Sequence, residues 1–252
     1  MDKFNKVAEI TLLFWVIKVF ATTLGETLGD MFSMTINLGY PESLIIILIF
    51  FIAVLYTQLK SKKFNPILYW ITIVATTTLG TEVSDFMDRT LGVGYMAGSA
   101  ILFAGLLLVL FLWHYNLKKI VVYPVFDFKT EMFYWFAILF SNSLGTAFGD
   151  FLSDNIGLGY TEGAMVTSAI IIIVIILHYS TKMNEILLFW IAFIFTRPFG
   201  ATFGDLLTKP KSHGGLDLGT AAASGVTALI ISVLVVYSYR KHKAAERSVE
   251  PA

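Results

Sequence analysis

The chain has no cysteine, which excludes disulfides and thiolate metal sites. Charge is scarce: Asp, Glu, Lys and Arg make up 14% of the residues and cancel to a formal net charge of zero. With four histidines there is no His-rich cluster, and neither a nucleophile elbow nor a phosphate loop is present. Recognisable enzyme signatures are therefore missing, and no nucleic-acid partner is expected. Apolar residues are what the chain has in excess. They make up 56% of it and give a mean hydropathy of +0.74, far outside the range of soluble domains.

One pattern recurs four times. Each copy has a Trp, then a Gly ten residues later, then an Asp five residues further on: Trp15/Gly25/Asp30, Trp70/Gly80/Asp85, Trp135/Gly145/Asp150 and Trp190/Gly200/Asp205. The cores read LGETLGD, LGTEVSD, LGTAFGD and FGATFGD. The Trp spacings are 55, 65 and 55 residues, so copies one and three are 120 apart, as are two and four. This predicts a two-copy unit that was itself duplicated, with halves at 1–120 and 121–252. A second landmark follows each motif. Gly39, Gly94 and Gly159 stand fourteen residues after the motif Gly, and Gly219 five residues later than that register. Four residues beyond each comes a small residue: Ser43, Gly98, Gly163 or Ala223.

Eight apolar stretches are long enough to span a bilayer: roughly 8–32, 39–59, 65–87, 94–115, 131–152, 159–179, 185–207 and 218–239. The first carries the repeated motif, so it is expected to belong to the fold rather than to a cleaved leader. The expected fold is an all-α membrane protein of eight transmembrane helices, built from four parallel two-helix repeats. Thirteen Lys and Arg fall on the side of the termini and three, Arg89, Lys209 and Lys211, on the other. That bias predicts that both termini are cytoplasmic.

The four aligned motifs resemble those of bacterial membrane proteins made of four tandem copies of a two-span repeat of unknown function. The resemblance runs over roughly 8–239. It implies the eight-span architecture and a bacterial inner membrane, and it implies no substrate. The fourth copy departs through Arg197, Pro198 and a longer outer loop.

Glycines of the motif form small-xxx-small pairs: Gly25/Gly29, Gly80/Ser84, Gly145/Gly149 and Gly200/Gly204. Such pairs let helix backbones approach closely in lipid. Packing does not call for acids beside them. Asp30, Asp85, Asp150 and Asp205 are joined by Glu26 and Glu82, and each ionised carboxylate inside a span costs at least about 2.5–3.5 kcal/mol. Partners, cavity water, protonation or a bound cation must offset that. One turn earlier lie Thr22, Thr77 and Asn142, with Arg197 at the fourth equivalent position. These oxygens favour hard cations. Asp30, Asp150, Glu26 and Glu82 are the expected ligands of a divalent ion.

Arg197 is expected to pair with a motif acid such as Asp205, and Lys18 to snorkel or to form a core salt bridge. The tryptophans read as packing residues, with Trp70 as an interfacial anchor. Glu42 and Glu162 fall in first turns, where the helix dipole favours an acid. The leading expectation is a transporter for a cation, either a hard divalent metal such as Mn²⁺ or Mg²⁺ or a proton-coupled cargo. A channel with an Asp ring, a membrane enzyme and a structural protein are the alternatives.

Overall fold

A computed structural model describes residues 5–249. Lys3, counted above with the cytoplasmic charges, lies outside the described residues, and so does the Arg247 side chain. Eight helices follow one another: α1 (Leu12–Asp30), α2 (Tyr40–Lys60), α3 (Pro66–Asp85), α4 (Tyr95–Leu117), α5 (Phe128–Asp150), α6 (Tyr160–Ser180), α7 (Glu185–Thr208) and α8 (Thr220–Val249). No strand occurs among the described residues.

The odd helices all start in the same way. Side chains of Thr11, Asn65, Asp127 and Asn184 accept from backbone N–H groups of the first turn, which fixes each start. Helices α2, α4 and α6 start at the landmark glycines without a side-chain cap, and α8 starts at the residue after Gly219. Gly39 and Gly94, at φ +85° and +83°, hold a backbone conformation that a Cβ would strain. Helices α1, α3 and α5 do not stop at the motif Asp. Each runs on through one π-helical turn, 31–35, 86–90 and 151–155. The acid is therefore inside a continuous helix rather than at its end.

The odd helices close a ring: α1 packs on α3, α3 on α5, α5 on α7, and α7 returns to α1. The even helices lie outside it. Each packs mainly on the inner helix of the next copy, α2 on α3, α4 on α5, α6 on α7 and α8 on α1. The sheath is apolar and open to its surroundings, with Ile49, Phe50, Leu108, Phe111, Ile172 and Leu229 exposed. Such a surface suits lipid rather than water.

Six helices are long and apolar enough to cross a membrane: α1, α2, α4, α6, α7 and α8. The other two, α3 and α5, carry Thr76–Thr78 and Ser141–Ser143, and the ring buries those polar runs.

The first glycine of each pair explains why the ring closes so tightly. Gly25 packs on Thr77, Gly80 on Asn142, Gly145 on Arg197 and Gly200 on Thr22. Each motif Gly thus meets the residue three before the next copy's Gly, and the fourth copy meets the first.

The second glycine corrects the expectation that both members of a pair bring helix backbones together. Gly29 and Gly204 are buried, but each faces side chains of the neighbouring helix. A Cβ at Gly29 would stand 2.9 Å from Thr81 Cγ2, and one at Gly204 would stand 3.1 Å from Glu26 Cβ and 3.2 Å from its Cγ. Gly149 has room to spare, with its nearest neighbours at 3.5 Å. The inner helices thus touch most closely at the first glycine. One turn further on they leave space for side chains, and Gly204 makes the room in which Glu26 sits.

At the opposite end from the acids, the residues preceding the tryptophans seal the ring. Phe14, Tyr69, Tyr134 and Phe189 are buried, and the Tyr69 and Tyr134 hydroxyls are 2.6 Å apart. Trp70 lies 5.5 Å from Phe14, ring to ring, and is 3% exposed, so it is a packing residue and not the interfacial anchor its sequence position suggested. The N-terminal segment closes the same end. Lys6 N donates to Val125 O at 2.9 Å, and the Lys6 ammonium pairs with buried Glu131. Gln58 donates to the same carboxylate at 2.9 Å.

Candidate functional site

Three carboxylates meet between α1 and α7. Glu26, Asp30 and Asp205 are all buried, and one oxygen of each lies within 4.8 Å of the others. Ring closure brings them together, because it sets the first and fourth copies side by side. Lys209 reaches the same place. Its Nζ is 2.7 Å from Asp30 Oδ2 and 3.2 Å from Asp205 Oδ1. Its side chain is 25% exposed, so it covers the acids from the solvent side. Burial alone would weaken the Lys209 ammonium's hold on its proton. The carboxylates of Asp205 and Asp30 outweigh that and keep its pKa above the ordinary lysine range.

The other sequence-derived acids are placed differently. Asp85 Oδ1 accepts from Arg89 Nε at 3.1 Å. Asp150 has no ion-pair partner among the described residues, and its Oδ2 is buried without a donor. Glu82 leaves the ring altogether. It accepts from Ser43 Oγ on α2 at 2.6 Å, in the groove between inner and outer helices. Of the four expected metal ligands, the convergent group therefore holds Glu26 and Asp30; Asp205 completes it, while Asp150 and Glu82 stand apart. Glu42 and Glu162 are exposed on first turns, where the helix dipole favours an acid.

Below the acids, Arg197 and Lys18 lie across the ring interior. Arg197 is fully buried on α7. It donates to Glu26 Oε2 at 2.8 Å and to Thr22 O at 3.3 Å, and it reaches across the ring to Thr81 Oγ1. Its partner is thus Glu26, not Asp205. The reason is geometric: Arg197 stands eight residues before Asp205 on the same helix, about two turns away, and its side chain crosses instead to α1, past Thr22 O to Glu26.

Lys18 crosses from α1 to α5. Its Nζ donates to Asn142 Oδ1 at 2.9 Å and lies 3.9 Å from the centroid of the Phe193 ring. It neither snorkels nor forms a salt bridge. Asn142 in turn donates to Thr76 at 3.1 Å. Thr22 and Thr77 spend their hydroxyls on carbonyls of their own and the neighbouring inner helix, at 2.7–3.2 Å, and so act as helix glue.

Sequence reasoning missed Arg89 and Lys209 as members of the site and counted them as loop charges. The signal was present. Both stand four residues after a motif Asp and 120 residues apart. Thr81 and the aromatic residue before each Trp were also missed, although the latter is aromatic in all four copies.

An all-helical repeat protein with membrane-length apolar helices and a polar ring interior is the class these features define. The chain belongs to the family described as Repeat of Unknown Function (DUF347), which matches residues 13–64, 68–118, 133–184 and 188–244. The four matches coincide with the four motif copies. No curated protein matches the chain, and no solved structure does.

Proposed function

We propose that this protein carries a hard divalent cation, Mn²⁺ or Mg²⁺, across the bacterial cytoplasmic membrane. In this reading all eight helices cross the bilayer, the four repeats run parallel, and both termini are cytoplasmic. Helices α3 and α5 then cross inside a sheath of apolar neighbours, so they need no apolar face of their own.

The observation that carries the proposal is the convergence of Glu26, Asp30 and Asp205 from two different copies. Oxygens spaced within 4.8 Å suit an ion that binds each at about 2.0–2.6 Å. Three carboxylates against the Arg197 guanidinium leave two negative charges once Lys209 withdraws. That balance matches a divalent ion. Lys209 acts here as a tethered stand-in: it bridges Asp30 and Asp205 until an entering ion displaces it toward solvent. Rocking of one pair of copies against the other would then expose the site to the opposite side.

The near-fourfold disposition of the motif aspartates also fits a channel with an Asp ring. Arg197, ion-paired and lying across the axis, favours the carrier reading, because a fixed positive charge opposes cation flow along it.

Titration calorimetry on detergent-solubilised protein tests the proposal. Asp30→Asn is expected to lower Mn²⁺ affinity by about ten- to a hundredfold, or ~1.4–2.7 kcal/mol. Lys209→Met is expected to raise it, since the competing ammonium is gone. Unchanged Mn²⁺ binding in Asp30→Asn would sink the proposal. Unitary currents in planar bilayers would turn it toward the channel.

A further inference from the structure

The acid layer has two sides, built from the same 120-residue unit yet finished differently. On one side Lys209 follows Asp205 by four residues and closes on Asp30 of the next copy. On the other, the equivalent residues are Arg89, Asp85 and Asp150. Arg89 pairs with Asp85 at 3.1 Å but does not close on Asp150. Asp150 is 7% exposed, and its Oδ2 has no hydrogen-bond partner. The third acid is also missing here, because the position of Glu26 is Thr146 in the third copy.

We propose that Asp85, Arg89 and Asp150 form a second cation site, which takes one positive charge, Na⁺ or a proton, as the coupling ion. Charge decides the class of occupant. With Arg89 on Asp85, one carboxylate remains uncompensated, so a monovalent cation neutralises the site and a divalent one overcharges it. Burial decides that the site must be filled, since a carboxylate out of water needs a countercharge or a proton. The charges that act most on Asp150 through space are Asp85 on α3, Glu26 on α1, Asp205 on α7 and Arg89 in the turn after α3. Tyr95 at the start of α4 and Tyr160 at the start of α6 feel its charge together with that of Asp154. Arg89 is the single cation of this set, and Asp85 already holds it. Two inequivalent sites, one divalent and one monovalent, are what an exchanger needs, and in that sense alone the proposal rests on the transporter reading.

The test uses metal-free full-length protein in detergent, with two probes. Na⁺ is titrated calorimetrically at fixed pH, and the protonated carboxyl stretch is followed by infrared spectroscopy across a pH series without Na⁺. Wild type is expected to give one of the two signals, and which one identifies the ion. Asp150→Asn is expected to remove its own component of the carboxyl band, or to weaken Na⁺ binding at least tenfold, about 1.4 kcal/mol. Its Mn²⁺ affinity should stay within about twofold of wild type.

Asp85→Asn serves as the second variant, because it frees Arg89 to occupy Asp150 and should cause the same loss. A wild type with neither signal, or variants that keep it, would overturn the second site. Mn²⁺ affinity that falls in parallel would also overturn it, by showing a single shared site. A wild type that binds no Mn²⁺ refutes the divalent reading, while the Na⁺ and infrared signals still decide this one.

Discussion

Replacing Glu26 by Gln is expected to destabilise the metal-free protein by about 3–5 kcal/mol, the cost of leaving a buried charge without its partner. Arg197 is fully buried, and Glu26 is its one ion-pair partner among the described residues. Its Nε already lacks an acceptor. Lys18, the next basic residue down the axis, is held by the neutral Asn142 and offers Arg197 no countercharge. Low dielectric magnifies the effect.

The same reasoning predicts recovery. Glu26→Leu combined with Arg197→Met removes both charges and keeps much of the volume. Such replacements of buried pairs are often neutral or stabilising. Thermal unfolding of the single variants and the pair, arranged as a double-mutant cycle, measures the coupling. A single variant within about 1 kcal/mol of wild type would show that Arg197 is solvated or re-paired, contrary to this geometry.

Gly80→Leu is expected to cost at least about 3 kcal/mol, the upper end of what overpacking does, and to break the ring. A Cβ at Gly80 would stand 2.9 Å from the Asn142 carbonyl carbon and 2.9 Å from the Ser143 nitrogen. Both are backbone atoms of α5, so no rotamer change relieves the clash; the helices must part. Parting them pulls Asn142 from Lys18 and Thr76, so the polar plug fails together with the packing. Gly149 supplies the control. A Cβ there meets Ala201 Cβ and Pro198 Cα at 3.5 Å, which is ordinary contact. Gly149→Ala should therefore lie within about 1 kcal/mol of wild type, and even Gly80→Ala should be worse. Equal effects of the two alanine substitutions, read by thermal unfolding, would contradict the asymmetry of the ring.

Much of this was legible from the residues. Four Trp/Gly/Asp copies imply four helix pairs, and eight helices appear over the apolar stretches that announced them, with α8 running ten residues past the expected end at 239. The small residues announced close packing, and the first glycine of each pair does touch its neighbour. The pattern did not distinguish the second one: Gly29 and Gly204 look the same as Gly25 and Gly200 in sequence, yet they face the side chains of Thr81 and Glu26. The fate of Glu82 was also within reach. It stands two residues after its glycine, whereas Glu26 stands one after its own. At about 100° per residue that difference turns one acid into the ring and the other toward the outer helix. The partner on that outer helix, Ser43, is the small residue already noted after Gly39.

What the chain determines on its own is its repetition, its helical and apolar character, and the presence of acids that must be compensated. These follow from spacing and residue type, which act within one copy. The tertiary structure alone decided which charges meet. Lys209 pairs with Asp30 across 179 residues and Arg197 with Glu26 across 171, because the fourth inner helix closes on the first. Long flexible side chains can satisfy several neighbours at similar cost, so pattern does not select among them. Closure of the ring does, by setting each copy's level against the next and leaving Asp150, among the four motif aspartates, without an ion-pair partner in the described residues.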